Sequence, residues 1–152
     1  MGTAVVRGAE QRKRDALERL EREVDVWVAS ADPAGAPCLV PLSFLWDGDA
    51  VWLSTREKNP TGRNLRDVGR ARLSLADTRD VVLVEGVVET FARNEVPVAV
   101  ADAFAAKCEW DPRASKDDSY VYFKVSPTEV QVWHEERESR GRHLMRDGKW
   151  VI

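Results

Sequence analysis

Apolar residues recur at every second position over several short stretches of this chain, and turn-forming residues separate the stretches. Val24-Asp25-Val26-Trp27-Val28-Ala29 alternates and is rich in β-branched residues, which predicts a half-buried strand. Asp32-Pro33-Ala34-Gly35 follows as a turn. A second strand is predicted from Pro37 to Trp46, interrupted by Pro41. Proline cannot donate to a sheet ladder, so Pro41 marks an edge, a bulge or a place where a ligand replaces the neighbouring strand. Asp47-Gly48-Asp49 closes a tight hairpin into the strand Ala50-Val51-Trp52-Leu53-Ser54-Thr55. Further strands are predicted from Ala71 to Asp77 and from Val81 to Phe91, the latter carrying Gly86. Tyr120 to Val125 and Glu129 to Trp133 read as two strands around Ser126-Pro127-Thr128. A last hairpin places Asp147-Gly148 between His143-Leu144-Met145 and Lys149-Trp150-Val151.

Helical spacing is confined to three places. Ala9, Ala16, Leu17 and Leu20 give a narrow apolar stripe over residues 8–22, with charges on the other faces, which predicts a solvated surface helix. Asn59 to Gly69 reads as a short helix, with Asn59 as N-cap and Pro60 at the first helical position, where a missing N–H costs nothing. Asn94 is placed to cap a helix from Glu95 to Cys108, with Pro97 in its first turn. Trp110 to Asp118 is a polar loop. Six or seven strands with short hairpins do not alternate regularly with helices. A parallel doubly wound sheet is therefore excluded in favour of a mainly β fold, a closed antiparallel barrel with a few helices. No repeat, low-complexity tract or linker divides the chain, so one domain is expected over residues 1–152.

Composition narrows the function classes. A chain of 152 residues buries roughly 70% of its unfolded surface, enough for a core without staples. With 43% apolar and 32% charged residues it is neither disordered nor fibrous. No stretch approaches 18 consecutive apolar residues, so no membrane span is expected, and Met1 to Arg7 lacks the apolar run of a secretory signal. Cys38 and Cys108 are too few for a disulfide framework and are expected to be packed, reduced thiols of a cytoplasmic protein. A net charge of −3 argues against a nucleic-acid partner. The charge is uneven, however. Arg56, Lys58, Arg63, Arg66, Arg70 and Arg72 fall within 17 residues, opposed there only by Glu57 and Asp67. A local basic segment in an acidic chain suits one small anion.

Candidate chemistry centres on that segment. No histidine, cysteine or carboxylate cluster has metal-ligand spacing, and no nucleophile elbow, Walker loop or dinucleotide fingerprint occurs. His134 and His143, the two histidines, both fall towards the polar C-terminus. In Leu53-Ser54-Thr55-Arg56-Glu57-Lys58-Asn59-Pro60-Thr61-Gly62-Arg63-Asn64-Leu65 a strand ends in two hydroxyls, a basic loop follows and a helix begins. The first helical N–H groups have no internal partner, and the helix dipole favours an anion there. Gly62 leaves room for close approach, Thr61 adds a hydroxyl, and Arg63 can grip a phosphate with two donors. The same features are equally those of an ordinary capped surface helix. Six tryptophans, Trp27, Trp46, Trp52, Trp110, Trp133 and Trp150, are expected mostly in the core or at a subunit interface. Trp133 ends a strand before Glu135-Glu136-Arg137-Glu138 and is placed to sit at a rim, where it could cover a planar ligand.

Three blocks taken in order resemble the pyridoxamine 5′-phosphate oxidase-like flavin-binding split barrels, over Glu23 to Trp150, and look most like their small actinobacterial members. The first is Pro37–Phe44 with Val51–Thr55. The second is Asn59–Arg66, leading to Arg72–Leu75 and Asp80–Gly86. The third is Val132-Trp133 followed by Gly141–Trp150. The resemblance implies a homodimer of six-stranded antiparallel Greek-key barrels with two cofactor sites at the interface. It implies that Leu39, Val40, Pro41 and Leu42 lie along the isoalloxazine ring of FMN. Ser54, Thr55, Thr61 and Arg63, next to Asn64, would hold the phosphate. Trp133 and Arg142 would reach the cofactor held mainly by the partner, so that residues 134–152 complete the site. Many members carry a lysine where Thr61 stands, a charge that Lys58 could supply instead. The Arg-x-His pair of true pyridoxamine-phosphate oxidases is absent from His134 to Gly141, which argues against that activity. The expected function is hydride transfer between FMN and a small organic substrate, with no side chain assigned as catalytic. The alternatives are the deazaflavin coenzyme F-420, whose longer anionic tail suits the basic segment, a non-catalytic flavin carrier or sensor, and a cofactor-free interaction module.

Overall fold

A computed structural model describes residues 5–152, so the reading of Met1 to Ala4 lies outside the described residues. The strands are β1 (Asp25–Ala31), β2 (Pro37–Trp46), β3 (Val51–Arg56), β4 (Arg70–Ser74), β5 (Asp80–Phe91), β6 (Tyr120–His134), β7 (His143–Arg146) and β8 (Lys149–Trp150). The helices are α1 (Ala9–Arg22), α2 (Pro60–Val68) and α3 (Val98–Cys108). All strand pairs are antiparallel, in the order β3-β2-β1-β4-β5-β6-β7-β8, and β3 also pairs with β6. That last pairing closes β1 to β6 into a six-stranded barrel and leaves β7–β8 as a hairpin on its rim. The order β4-β1-β2-β3 is a Greek-key connection. No helix among the described residues is long and apolar enough to cross a membrane.

Alternation fills the barrel. Val26, Val28, Phe44, Val51, Leu53, Leu73, Val82 and Val84 point inward and are at most 3% exposed. Leu65 of α2 joins them at the barrel's open end. Outside the barrel, α3 covers a second cluster of Leu45, Trp52, Val96, Ala101, Phe104 and Tyr122. Phe104 meets Tyr122 edge to face at 5.6 Å between ring centroids. As a result β3 is buried on both faces, with Val51 and Leu53 turned to one core and Trp52 to the other. Trp52 Nε1 also donates to Asp47 Oδ2 at 2.7 Å, which ties the β2–β3 hairpin shut.

Several sequence expectations change here. β6 is one strand of 15 residues, not two. Its inward residues are Val121, Phe123 and Val125 and then Val130 and Val132, so the parity flips across Ser126-Pro127-Thr128. The flip is a bulge, seen as a register shift opposite Glu85 and Gly86. Proline is admissible there because the ladder is already interrupted. α3 starts at Val98 rather than Glu95, because Pro97 has extended ψ (132°) and disfavours helix at the residue before it. β4 ends at Ser74, since Asp77 accepts the amides of Arg79 and Asp80 in a turn. The tryptophans divide: Trp52 is buried, Trp46 and Trp150 pack partly buried against the barrel core, and Trp27 is 44% exposed. α1 is not merely a solvated surface helix. It buries Arg12, Ala16 and Leu20.

Gly86 faces the bulge of β6, and a Cβ there would overlap the Ser126 carbonyl oxygen. Gly86→Ala is expected to destabilise the fold by about 1–3 kcal/mol, read as a lowered urea midpoint.

Candidate functional site

β2 pairs with β1 over Pro37–Ser43 and with β3 only over Phe44–Trp46 against Val51–Leu53. Beyond that point β3 stays with β6 as far as Arg56. The sheet therefore parts between Pro37–Ser43 on one side and Ser54–Arg56 on the other. Pro41 lies in this parted stretch, on a strand with one open edge. The N-terminus of α2 stands at the opening. A Cβ on Gly62 would overlap the Arg56 carbonyl oxygen, so glycine lets the helix press against the end of β3. The room expected at Gly62 for a ligand is thus taken up by the chain's own backbone.

A cavity of about 250 Å³ fills the corner, lined by Cys38, Val40, Leu42, Thr55, Asn59, Pro60 and Thr61. Asn59 has the extended backbone of an N-cap, but its side chain caps nothing. Among the described residues the amides of Thr61 and Gly62 and the Thr55 hydroxyl take no hydrogen-bond partner. The Thr61 hydroxyl lies 3.4 Å from Cys38 Sγ.

Charge is distributed to match. Arg56 pairs with Asp117, Arg66 with Glu57 and Asp67, and Arg70 and Arg72 with Glu85. Lys58 and Arg63 are exposed and make no ion pair among the described residues. Arg63 Nη1 donates to the Lys58 carbonyl at 2.6 Å, which holds the Arg63 guanidinium back against the loop before α2.

Not every expected residue faces the corner. Ser54 is 4% exposed and its hydroxyl donates to the Val121 carbonyl at 2.8 Å. The Asn64 amide donates to Ser30 Oγ at 3.2 Å and pins α2 to β1. Leu39 is 62% exposed on the outer face of β2, opposite Ala29 and beside Pro41, which itself faces the exposed Trp27. Trp133 and Arg142 lie elsewhere. The Arg142 guanidinium stacks 5.2 Å from the Trp133 ring centroid, and its Nε donates to Gln131 Oε1 at 3.0 Å. The outer-face row Pro41, Trp27, Ser74, Leu83, Gln131 crosses four strand spacings, on the order of 19 Å of sheet. One chain therefore does not bring Trp133 and Arg142 to the cavity.

A sequence profile described as pyridoxamine 5′-phosphate oxidase matches residues 13–134. The chain belongs to the pyridoxamine 5′-phosphate oxidase family. No curated protein matches the sequence. Among solved structures, an F420 reductase is similar at 24% identity and a TM-score of 0.58, over 74% of this chain and 93% of that one. The heme storage protein HutZ from Vibrio cholerae is similar at 14% identity and 0.65, over 80% and 91%. A heme binding protein from Mycobacterium smegmatis reaches 0.70 at 18% identity, over 95% of this chain but only 60% of its own length. These likenesses bear on the fold alone.

In this family member the C-terminal loop is held by groups that the sequence reading missed. Glu138 is 1% exposed and accepts from the Arg7 amide (2.9 Å), Arg7 Nη2 (2.8 Å) and the His134 amide (2.9 Å). Arg7 also pairs with Asp15 and Asp80. The only signal in the sequence was a carboxylate inside a charged run, which ordinarily marks a solvated face. Burial pushes the Cys108 thiol up to about 11, which disfavours its nucleophilic thiolate form.

Burial alone would raise the Glu138 carboxyl, but the Arg7 side chain and the Arg7 and His134 amides outweigh it and hold the group at about 2. A depressed carboxyl stabilises the fold fully above its ordinary pKa of 4.5 and progressively less towards 2. Stability is expected to fall as pH drops through that window. Glu138→Gln is expected to be less stable at neutral pH and to flatten the dependence, both measurable by urea unfolding at successive pH values.

Proposed function

We propose that the protein is an FMN-dependent oxidoreductase acting as a homodimer, with FMN shared between the parted-sheet corner of one copy and Trp133 and Arg142 of the other. The observation that carries this reading is the corner itself: an uncapped helix N-terminus and a free Thr55 hydroxyl at one cavity, with the unpaired cations Lys58 and Arg63 flanking its Asn59–Thr61 lining in the chain. That donor set fits a phosphate group. At about 250 Å³ the cavity is smaller than the roughly 300–1,000 Å³ that encloses a small ligand, which supports a site completed by a second copy. The exposed apolar surface of Trp27 and Leu39, between the cavity and Trp133, supports the same arrangement.

In this reading Thr55, Thr61, Lys58 and Arg63 bind the phosphate and fix its register. The open edge of β2 from Leu39 to Leu42 orients the ring. Trp133 and Arg142 from the other copy close over it and exclude water. When bound, the flavin supplies the hydride chemistry, and the protein supplies orientation and electrostatics. Ser54 and Asn64 support the corner from behind. Four of the six basic residues are already paired with carboxylates, which favours the single phosphate of FMN over the longer anionic tail of the deazaflavin coenzyme.

The test is a visible spectrum of the purified protein, titrations with FMN and with F-420, and light scattering for the dimer. Saturable FMN binding by a dimer supports the reading. Binding of F-420 alone moves the protein to deazaflavin chemistry. Tight binding without turnover makes it a carrier, and a Soret band or no binding at all overturns the flavin assignment. Arg63→Ala is expected to weaken FMN binding by about 1.5–3 kcal/mol, the scale of a hydrogen bond to a charged group. Equal affinities in mutant and wild type would remove Arg63 from the site.

A further inference from the structure

Arg12 is 7% exposed and makes no ion pair among the described residues. Its Nε is buried with no hydrogen-bond partner. A buried guanidinium without a carboxylate is costly, and an apolar residue would serve the packing of α1 better. Its Nη1 donates to two carbonyls, Val132 O at 3.0 Å and Gly141 O at 3.1 Å. Those carbonyls belong to the residues immediately before Trp133 and Arg142. One nitrogen thus grips the backbone entering both members of the stacked pair. The grip is reinforced on either side: the Val132 amide donates to the Arg142 carbonyl at 2.9 Å, and the His134 amide to Glu138. Arg12 lies before the family-matched segment, and Gly141 and Arg142 lie after it. The Arg12–Gly141 bond therefore joins two flanks that the family match does not cover, and the Arg12–Val132 bond ties them to its end.

We propose that Arg12 is a positioning residue that sets the Trp133–Arg142 pair for cofactor binding by holding Val132 and Gly141 on one guanidinium. The proposal rests on the flavin reading given above. A bridge between the end of β6 and the loop before β7 fixes the distance between the two backbones that carry the pair. Without it the loop over residues 135–142 keeps its ties at Glu135 to the Arg79 carbonyl, at Glu138 to Arg7 and at Arg142 to Val132 and Gln131, but Gly141 loses its bond and the spacing that stacks ring and guanidinium loosens.

Arg12→Met keeps the length and packing of the side chain and removes both hydrogen bonds, and Arg12→Lys keeps a charge that can reach one carbonyl. Hydrogen–deuterium exchange of the cofactor-free full-length protein is the first readout. In Arg12→Met the amides of residues 134–142 are expected to exchange roughly tenfold faster or more, while those of β1 and β5 keep the wild-type rate. Fluorescence titration is the second. FMN is expected to bind Arg12→Met roughly ten- to hundredfold more weakly, with Arg12→Lys intermediate. Unchanged exchange in the loop overturns the proposal. So does faster exchange throughout the barrel, which would mark Arg12 as a general stabiliser. Faster loop exchange with unaltered FMN affinity overturns it as well, provided that Arg142→Ala does weaken binding. If wild-type protein binds no flavin, and Arg63→Ala and Arg142→Ala are equally without effect, the flavin reading itself has failed, and the positioning role falls with it.

Discussion

β3 shares three residues of ladder with β2 and six with β6, and this unequal pairing governs much of the rest of the molecule. A strand that closes a barrel on one side cannot also follow its hairpin partner on the other once the two diverge. The divergence leaves an open edge on β2 and a hole at the barrel's end. α2 plugs the hole with Leu65, and Gly62 lets it come close enough to do so. A helix driven into a barrel end in this way turns its N-terminus towards the parted strands. The anion-favouring corner is therefore a consequence of how the barrel is closed, and the first helical amides are aimed by packing rather than by a cap.

Electrostatics then selects among the charges. The basic segment looked like a broad patch along the chain, but folding brings Asp117, Glu57, Asp67 and Glu85 against four of its members. Exposed pairs of this kind stabilise little, yet they cancel local potential. Among the described residues what remains unpaired in the segment is Lys58 and Arg63, on either side of the turn that lines the cavity. This concentration is what makes a single phosphate a better match than an extended polyanion.

Local signals were legible where the chain obeys one period at a time. Pro41, the Asp47-Gly48-Asp49 hairpin, and the Asn59-Pro60 entry into α2 all read correctly, because each is decided within a few residues. β6 did not read as one strand, since its bulge inverts the alternation half-way and mimics a turn at Ser126-Pro127-Thr128. Nor did the orientation of Ser54 and Asn64, which are of the right type for a phosphate site but are drawn to Val121 and Ser30. Arg12 and Glu138 were invisible for a deeper reason. A charged residue is buried only when partners satisfy it, and here Arg7 on Glu138 and the Val132 and Gly141 carbonyls on Arg12 lie more than a hundred residues away. Periodicity carries no information about such contacts.

The family match and the long-range contacts divide the molecule in the same place. Residues 13–134 contain the barrel, the opening and α2, while Arg7 and Arg12 on one flank meet Glu138 and Gly141 on the other. The barrel core is held by apolar burial, which depends only on pattern and volume. The flanks bury Leu144 and Met145 in the same core, and add a few directional bonds to buried charges, which fail outright when one partner is lost. A scaffold of the first kind tolerates sequence drift, and a clamp of the second kind fixes one geometry. Trp133 and Arg142 sit where the two regimes meet: the tryptophan ends the barrel's longest strand, and the arginine leaves the clamped loop. Their stacking is thus set jointly by the pattern-built barrel and by a handful of bonds outside it, which makes the flanks the part of the chain best placed to tune what the common fold binds.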